Sequence, residues 1–194
     1  MKKGTKIFVT TGLTVALLVA TISVAHITNE VMKFEQHRID TLGRADKIKE
    51  VETYMEFALK NQGFSRSATG LKAETLVDVS IEKGFDLPFL VAAAHQESCF
   101  GATRRARKTN SVYSVGAYDS GVNTITYKDP NDSVEAYVDL LNRRYLIGGK
   151  TIHDLMKPGA FVNNVGNRYA SDSNYEYKIR KLRNMVIKRC PSLT

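Results

Sequence analysis

Apolar positions recur at helical spacing over most of the chain. From Ala45 to Lys60, Ile48, Val51, Tyr54, Met55 and Leu59 lie three and four apart and predict an amphipathic helix. A second helix is expected from Leu71 to Lys83, ended by Gly84. The run DLPFLVAAAHQES, 86–98, predicts a third, with Asp86 as cap, Pro88 in its first turn and Gly101 just beyond its end. Its unbroken apolar stretch from Phe89 to Ala94 implies burial on most sides. Helical pattern disappears between Thr109 and Asp129, where SVYSVGAYDSGVNTITYKDP predicts short strands or a hairpin. Helices are expected again over Ser133–Tyr145, capped by Asp132 or Ser133, and over about Asn174–Lys188. The expected fold is mainly α with a small β-hairpin lobe.

The N-terminus has a different pattern. MKKGTK precedes 19 uncharged residues, Ile7 to Ala25, about the length that crosses a bilayer as a helix. Basic residues before it favour a cytoplasmic N-terminus and an exported remainder. Ser23-Val24-Ala25 also offers a small-x-small cleavage site, so signal anchor and removed signal peptide are both open. Residues 26–44 are polar, lack a clear period and suggest a stalk. The expected organisation is 1–25 anchor or signal, 26–60 stalk and leading helix, and 61–190 a catalytic domain.

Composition changes this picture little. The 194 residues are 43% hydrophobic and 25% charged, which suits a folded domain. The net charge of +8 admits nucleic acid, an anionic membrane or a polyanionic cell envelope. Export and the lack of a docking motif weigh against nucleic acid. Cys99 and Cys190 are too few for a disulfide scaffold; export permits a bridge between them, and a small buried thiol is the alternative.

The chemistry concentrates in VAAAHQESCFG, 91–101. His95-Gln96-Glu97 matches half of a zinc-deaminase signature, but the P-C-x-x-C half is missing, and no histidine pair has H-E-x-x-H spacing. No metal or other cofactor is expected. Cys99 and His95 stand four apart without an evident orienting Asn or Asp, so a nucleophile pair is disfavoured and a buried, hydrogen-bonded histidine preferred. Glu97 falls in the last helical turn. The negative end of the helix dipole and apolar neighbours both oppose its ionisation there. A carboxyl that keeps its proton near neutrality is what a glycosidase needs to protonate a leaving oxygen. A salt-bridged structural glutamate is the competing reading.

Four segments, in order over roughly residues 70–187, resemble the glucosaminidase family of bacterial cell-wall hydrolases, glycoside hydrolase family 73. QESCFGATRRARKTN is similar to its E-S-x-W/F-G-T-S…A…N segment, and NSVYSVGAYDSG to its N-x-F-G-x-G-A-Y-D-S stretch. YKDPNDSVEAYVDLLNRRYL is similar to its aromatic–helix–Tyr-Leu segment, and NRYASDSNYEYKI to its Y-A-T-D-P-x-Y/W-x-x-K-I closing motif. The resemblance implies a lysozyme-like helical domain with Glu97 as catalytic acid and Tyr169 as an active-site aromatic near the scissile sugar. It implies that Tyr113 lines the glycan groove and that Asn110, or Ser111 in its place, binds substrate. Asp119, or Asp129, is the candidate second carboxylate; Asp172 is expected to cap the last helix. Departures from the family pattern are Cys99 where a glycine or similarly small residue is usual, Ser114 for a glycine and Ser173 for a proline.

The resulting expectation is an exported endo-β-N-acetylglucosaminidase acting on peptidoglycan strands and tethered to the membrane through residues 7–25. A lytic transglycosylase with the same acid is the first alternative. A non-catalytic wall-binding or virion structural protein is the second. The basic residues after Glu97 (Arg104, Arg105, Arg107 and Lys108) and those on the last helix would hold such a protein to an anionic wall. The small size and weakly apolar N-terminal segment tilt the origin towards a phage lysis enzyme.

Overall fold

In the computed structural model the backbone is described over residues 7–116 and 125–193, and side chains from residue 30 onward within those ranges, His37 and Ile39 excepted. The described residues are mainly helical: α1 (Ile7–Asn61), α2 (Ala73–Lys83), α3 (Leu87–Ser98), α4 (Arg104–Thr109), α5 (Asp132–Arg144), α6 (Ile152–Leu155) and α7 (Tyr175–Arg189). The chain divides into two units, Met1–Arg44 and Ala45–Thr194.

In the first unit the expected stalk, 26–44, is helical, and short-range pairs such as Lys33–Glu30 and Arg38–Glu35 dress its surface. Among the described residues no helix is long and apolar enough to cross a membrane. The expected anchor, 1–25, lies outside the residues whose side chains are described.

The second unit holds the core. Val51, Tyr54, Met55, Ala58 and Leu59 on the last turns of α1 are buried in it, so the leading helix belongs to the domain that was expected to begin at residue 61. α3 is the central element, buried from Leu87 to Ala94, and packs most extensively on α7. Its start follows the expected chemistry, since Asp86 accepts a hydrogen bond from Phe89 N at 2.8 Å and Pro88 occupies the first turn. The same Asp86 carboxylate pairs with the Arg183 guanidinium of α7 at 2.6 Å, which ties the two helices together. α2 ends where Gly84 turns left-handed (φ 58°), a conformation glycine adopts without strain.

One expectation changes. α5 has no side-chain cap; Asn131 instead accepts from Lys72 N and donates to Gly70 O, while the Ser133 hydroxyl serves Val112 N and Pro130 O. Between Thr109 and Asp129 the described residues form turns and irregular chain without a strand; residues 117–124, Asp119 among them, lie outside the described residues. Antiparallel pairing is found elsewhere, at Val162–Arg168, in a turn that leads directly into Tyr169. Cys99 and Cys190 are both free and buried.

Candidate active site

Glu97 lies one residue before the end of α3, and the chain beyond it is bent sharply. Cys99 (φ 49°), Phe100 (φ 61°) and Gly101 (φ 87°) are successively left-handed. For the two non-glycine residues that conformation costs about 1–2 kcal/mol each. Hydrogen bonds hold the bend. Phe100 N reaches back to Ala94 O at 2.8 Å, and Ser98 Oγ accepts from Gly101 N at 2.7 Å while donating to Val112 O at 2.6 Å. Thr69 Oγ1 donates to Phe100 O. A Cβ on Gly101 would touch Thr69 Oγ1 and Val112 Cγ2 at 3.4 Å, an ordinary contact, so its left-handed φ of 87° rather than space favours glycine there. The bend therefore locks the end of α3 to the 111–114 segment, and Glu97 projects between them.

The carboxyl meets a group that sequence reasoning passed over. Tyr175, first residue of α7, donates its hydroxyl to Glu97 Oε1 at 2.5 Å. Burial pushes the Glu97 carboxyl from its ordinary 4.5 up to about 7, while hydrogen bonds from Tyr175 and Ser114 pull it down. Near neutrality both protonation states are accessible. Burial, and then the charge of Glu97, hold the Tyr175 hydroxyl well above its ordinary value, so Tyr175 remains a donor. Among the described residues the polar partners of Glu97 are Tyr175 and Ser114, and no salt bridge to it is found.

Tyr169 stands in the same aromatic cluster without touching the carboxyl. Its hydroxyl donates to Tyr113 O at 2.8 Å, and its ring stacks on Phe161 at 4.7 Å and lies 5.5 Å from Tyr175. Tyr113, expected to line a groove, is instead fully buried: it stacks on Tyr137 at 4.0 Å and donates to Leu90 O. It supports the site from inside the core. Asn110, left-handed at the end of α4, donates to the carbonyls of Tyr127 and Lys128 and so closes the base of the 110–128 segment. Asp129 accepts from Asn131 N at a turn. Asp119 lies outside the described residues. Asp172 does not cap α7, whose N-cap is Asn174 without a side-chain cap; it accepts from Asn174 N in the preceding turn and pairs with Lys178 at 2.6 Å. His95, half-buried at the larger cleft, shares a 3.0 Å hydrogen bond with the Tyr54 hydroxyl, and desolvation lowers its pKa.

Two clefts meet at Glu97 and Thr103. The larger, about 580 Å³, runs between the ends of α1 and α3 and one face of α7. The smaller, about 180 Å³, is polar, with Thr103, Arg105, Thr109, Ser111 and Ser114 around Glu97. Glu97 is the one carboxylate that lines either cleft among the described residues. Nowhere among those residues do three His, Cys, Asp or Glu side chains cluster closely enough to hold a metal ion. Chemically, the arrangement offers a proton from a carboxyl poised near neutrality at the junction of two depressions.

No protein-family model matches this chain, and no curated protein matches it.

Proposed function

We propose that the protein is a peptidoglycan hydrolase in which Glu97 is the general acid for cleavage of the β-1,4 bond after N-acetylglucosamine. The observation that carries this reading is the Glu97 carboxyl itself. It is unpaired with any cation among the described residues, raised to about 7, and set where two clefts meet. A glycan strand lying across both clefts would place a glycosidic oxygen against it. Proton transfer from Glu97 to that oxygen lets the C1–O bond break as the sugar gains oxocarbenium character, and water completes hydrolysis. Tyr175 orients the carboxyl, while Tyr169 and Tyr113 pack behind it.

The backbone supports the resemblance on which this reading also rests. Ser114 stands where the family pattern has glycine and Cys99 where it has glycine or a similarly small residue, and both are left-handed here, at φ 53° and 49°. A β-hairpin lobe bearing Asp119 as second carboxylate, export of the domain and a membrane tether at residues 7–25 belong to the same proposal. One observation favours a second reading. With Glu97 the one carboxylate lining the clefts among the described residues, the glycan's own hydroxyl could take the place of water, giving a lytic transglycosylase.

Mass spectrometry of sugar ends released from purified peptidoglycan tests both. New reducing N-acetylglucosamine ends, abolished by Glu97→Gln, are the expected result. Anhydro-muramic ends would assign the transglycosylase. No new ends from walls of several chemotypes would leave a non-catalytic wall-binding protein.

A further inference from the structure

The two clefts beside Glu97 differ in size and chemistry, and the difference bears on the substrate. The smaller is lined mostly by hydroxyls, with Arg105 also in its wall, and has no extended apolar face. The larger has about three times its volume and a different wall. α7 presents Lys178, Lys181, Leu182 and Met185 to it, spaced i, i+3, i+4 and i+7 on one helical face. Phe57 and Phe64 extend the apolar part of the wall from the other side, beside the amides of Asn61 and Gln62. Lys178 is engaged by Asp172, whereas Lys181 has no ion pair among the described residues. Apart from Glu97, no carboxylate among the described residues lines this cleft to neutralise it.

A neutral amino-sugar chain needs neither an unpaired ammonium nor an apolar wall of that extent. A short peptide branching from the glycan needs both, because its alanyl methyls seek apolar surface and its free carboxylate seeks a cation. We infer that the larger cleft is a stem-peptide subsite, with Lys181 as its carboxylate-reading residue, so that the preferred substrate is a glycan strand still bearing its peptides. This inference rests on the proposed peptidoglycan activity and adds to it a specificity that Glu97 alone cannot supply.

The test compares peptidoglycan glycan strands with intact stems against the same strands stripped by an amidase, which removes the peptide and leaves a lactyl carboxylate on each muramic residue, so that reading of the peptide is separated from attraction to charge on the sugar. It uses the full chain, Lys181→Glu, and Lys188→Glu as a control that makes the same charge change on α7 outside the cleft. Wild type is expected to prefer stem-bearing strands. Reversing the charge at Lys181 should lower kcat/KM on them by about tenfold, and on stripped strands by less than about twofold. Lys188→Glu should shift both substrates alike. Binding of a stem-bearing oligosaccharide to Glu97→Gln protein, with and without Lys181→Glu, reads the same preference without turnover. Equal cleavage of both strands by wild type, or equal losses for Lys181→Glu on both, would overturn the subsite while leaving the hydrolase standing. Cleavage of neither strand by wild type would remove both readings.

Discussion

Replacing Tyr175 by Phe removes one oxygen, and that oxygen donates the 2.5 Å hydrogen bond to Glu97 Oε1. Donation to a carboxylate favours its ionised form, so losing the donor must raise the pKa of Glu97. A hydrogen bond to a charged group contributes about 1.5–3 kcal/mol, and at about 1.4 kcal/mol per pKa unit that is roughly one to two units. The carboxyl would move from about 7 to roughly 8–9. A general acid works while protonated, so activity falls as pH rises through this value. The alkaline midpoint of kcat/KM is therefore expected to move up by at least one unit in Tyr175→Phe. At pH 8 the protonated fraction would rise from roughly a tenth to half or more. Carbon NMR of glutamate-labelled protein, with Glu97→Gln to assign the resonance, reads the same shift without relying on turnover. Tyr169→Phe is the control: its hydroxyl serves Tyr113 O, so the titration of Glu97 should move by less than about half a unit. A midpoint that stays put or falls in Tyr175→Phe would refute the argument. So would a wild-type Glu97 that titrates in the ordinary carboxyl range.

Glu97 should also lower stability as pH rises. The unfolded chain loses this proton near 4.5 while the fold keeps it up to about 7, so the folded state binds more protons across that window. Glu97→Gln should therefore gain on wild type between pH 4.5 and 8, by at most about 3 kcal/mol and less to the extent that solvent reaches the carboxyl, as read from urea midpoints at the two pH values. Asp86 both caps α3 and pairs with Arg183, so Asp86→Ala should destabilise by about 2–3 kcal/mol. Asp86→Asn, which keeps an acceptor at the cap, should cost only about 1 kcal/mol in the same titration.

The sequence by itself determined the elements whose causes are local. α3 could be placed to within a residue because cap, proline and apolar run all act within a few positions. Gly84 and the periodicities of α5 and α7 are equally short-range signals. The position of Glu97 in the last turn of a buried helix followed from them, and so did the direction of its pKa. Tertiary structure decided which tyrosine serves it. Tyr169 and Tyr175 lie six residues apart in one motif, and nothing local separates their roles. The turn built on the Val162–Arg168 pairing directs the first towards the Tyr113 carbonyl, and the packing of α7 on α3 brings the second to the carboxyl. The burial of Tyr113 was equally hidden, because it depends on a ring from α5, twenty-four residues away, stacking on its face. The larger cleft could not be read from any one segment. Its walls come from α1, α3 and α7, and a cavity exists only where elements distant in the chain fail to close on one another.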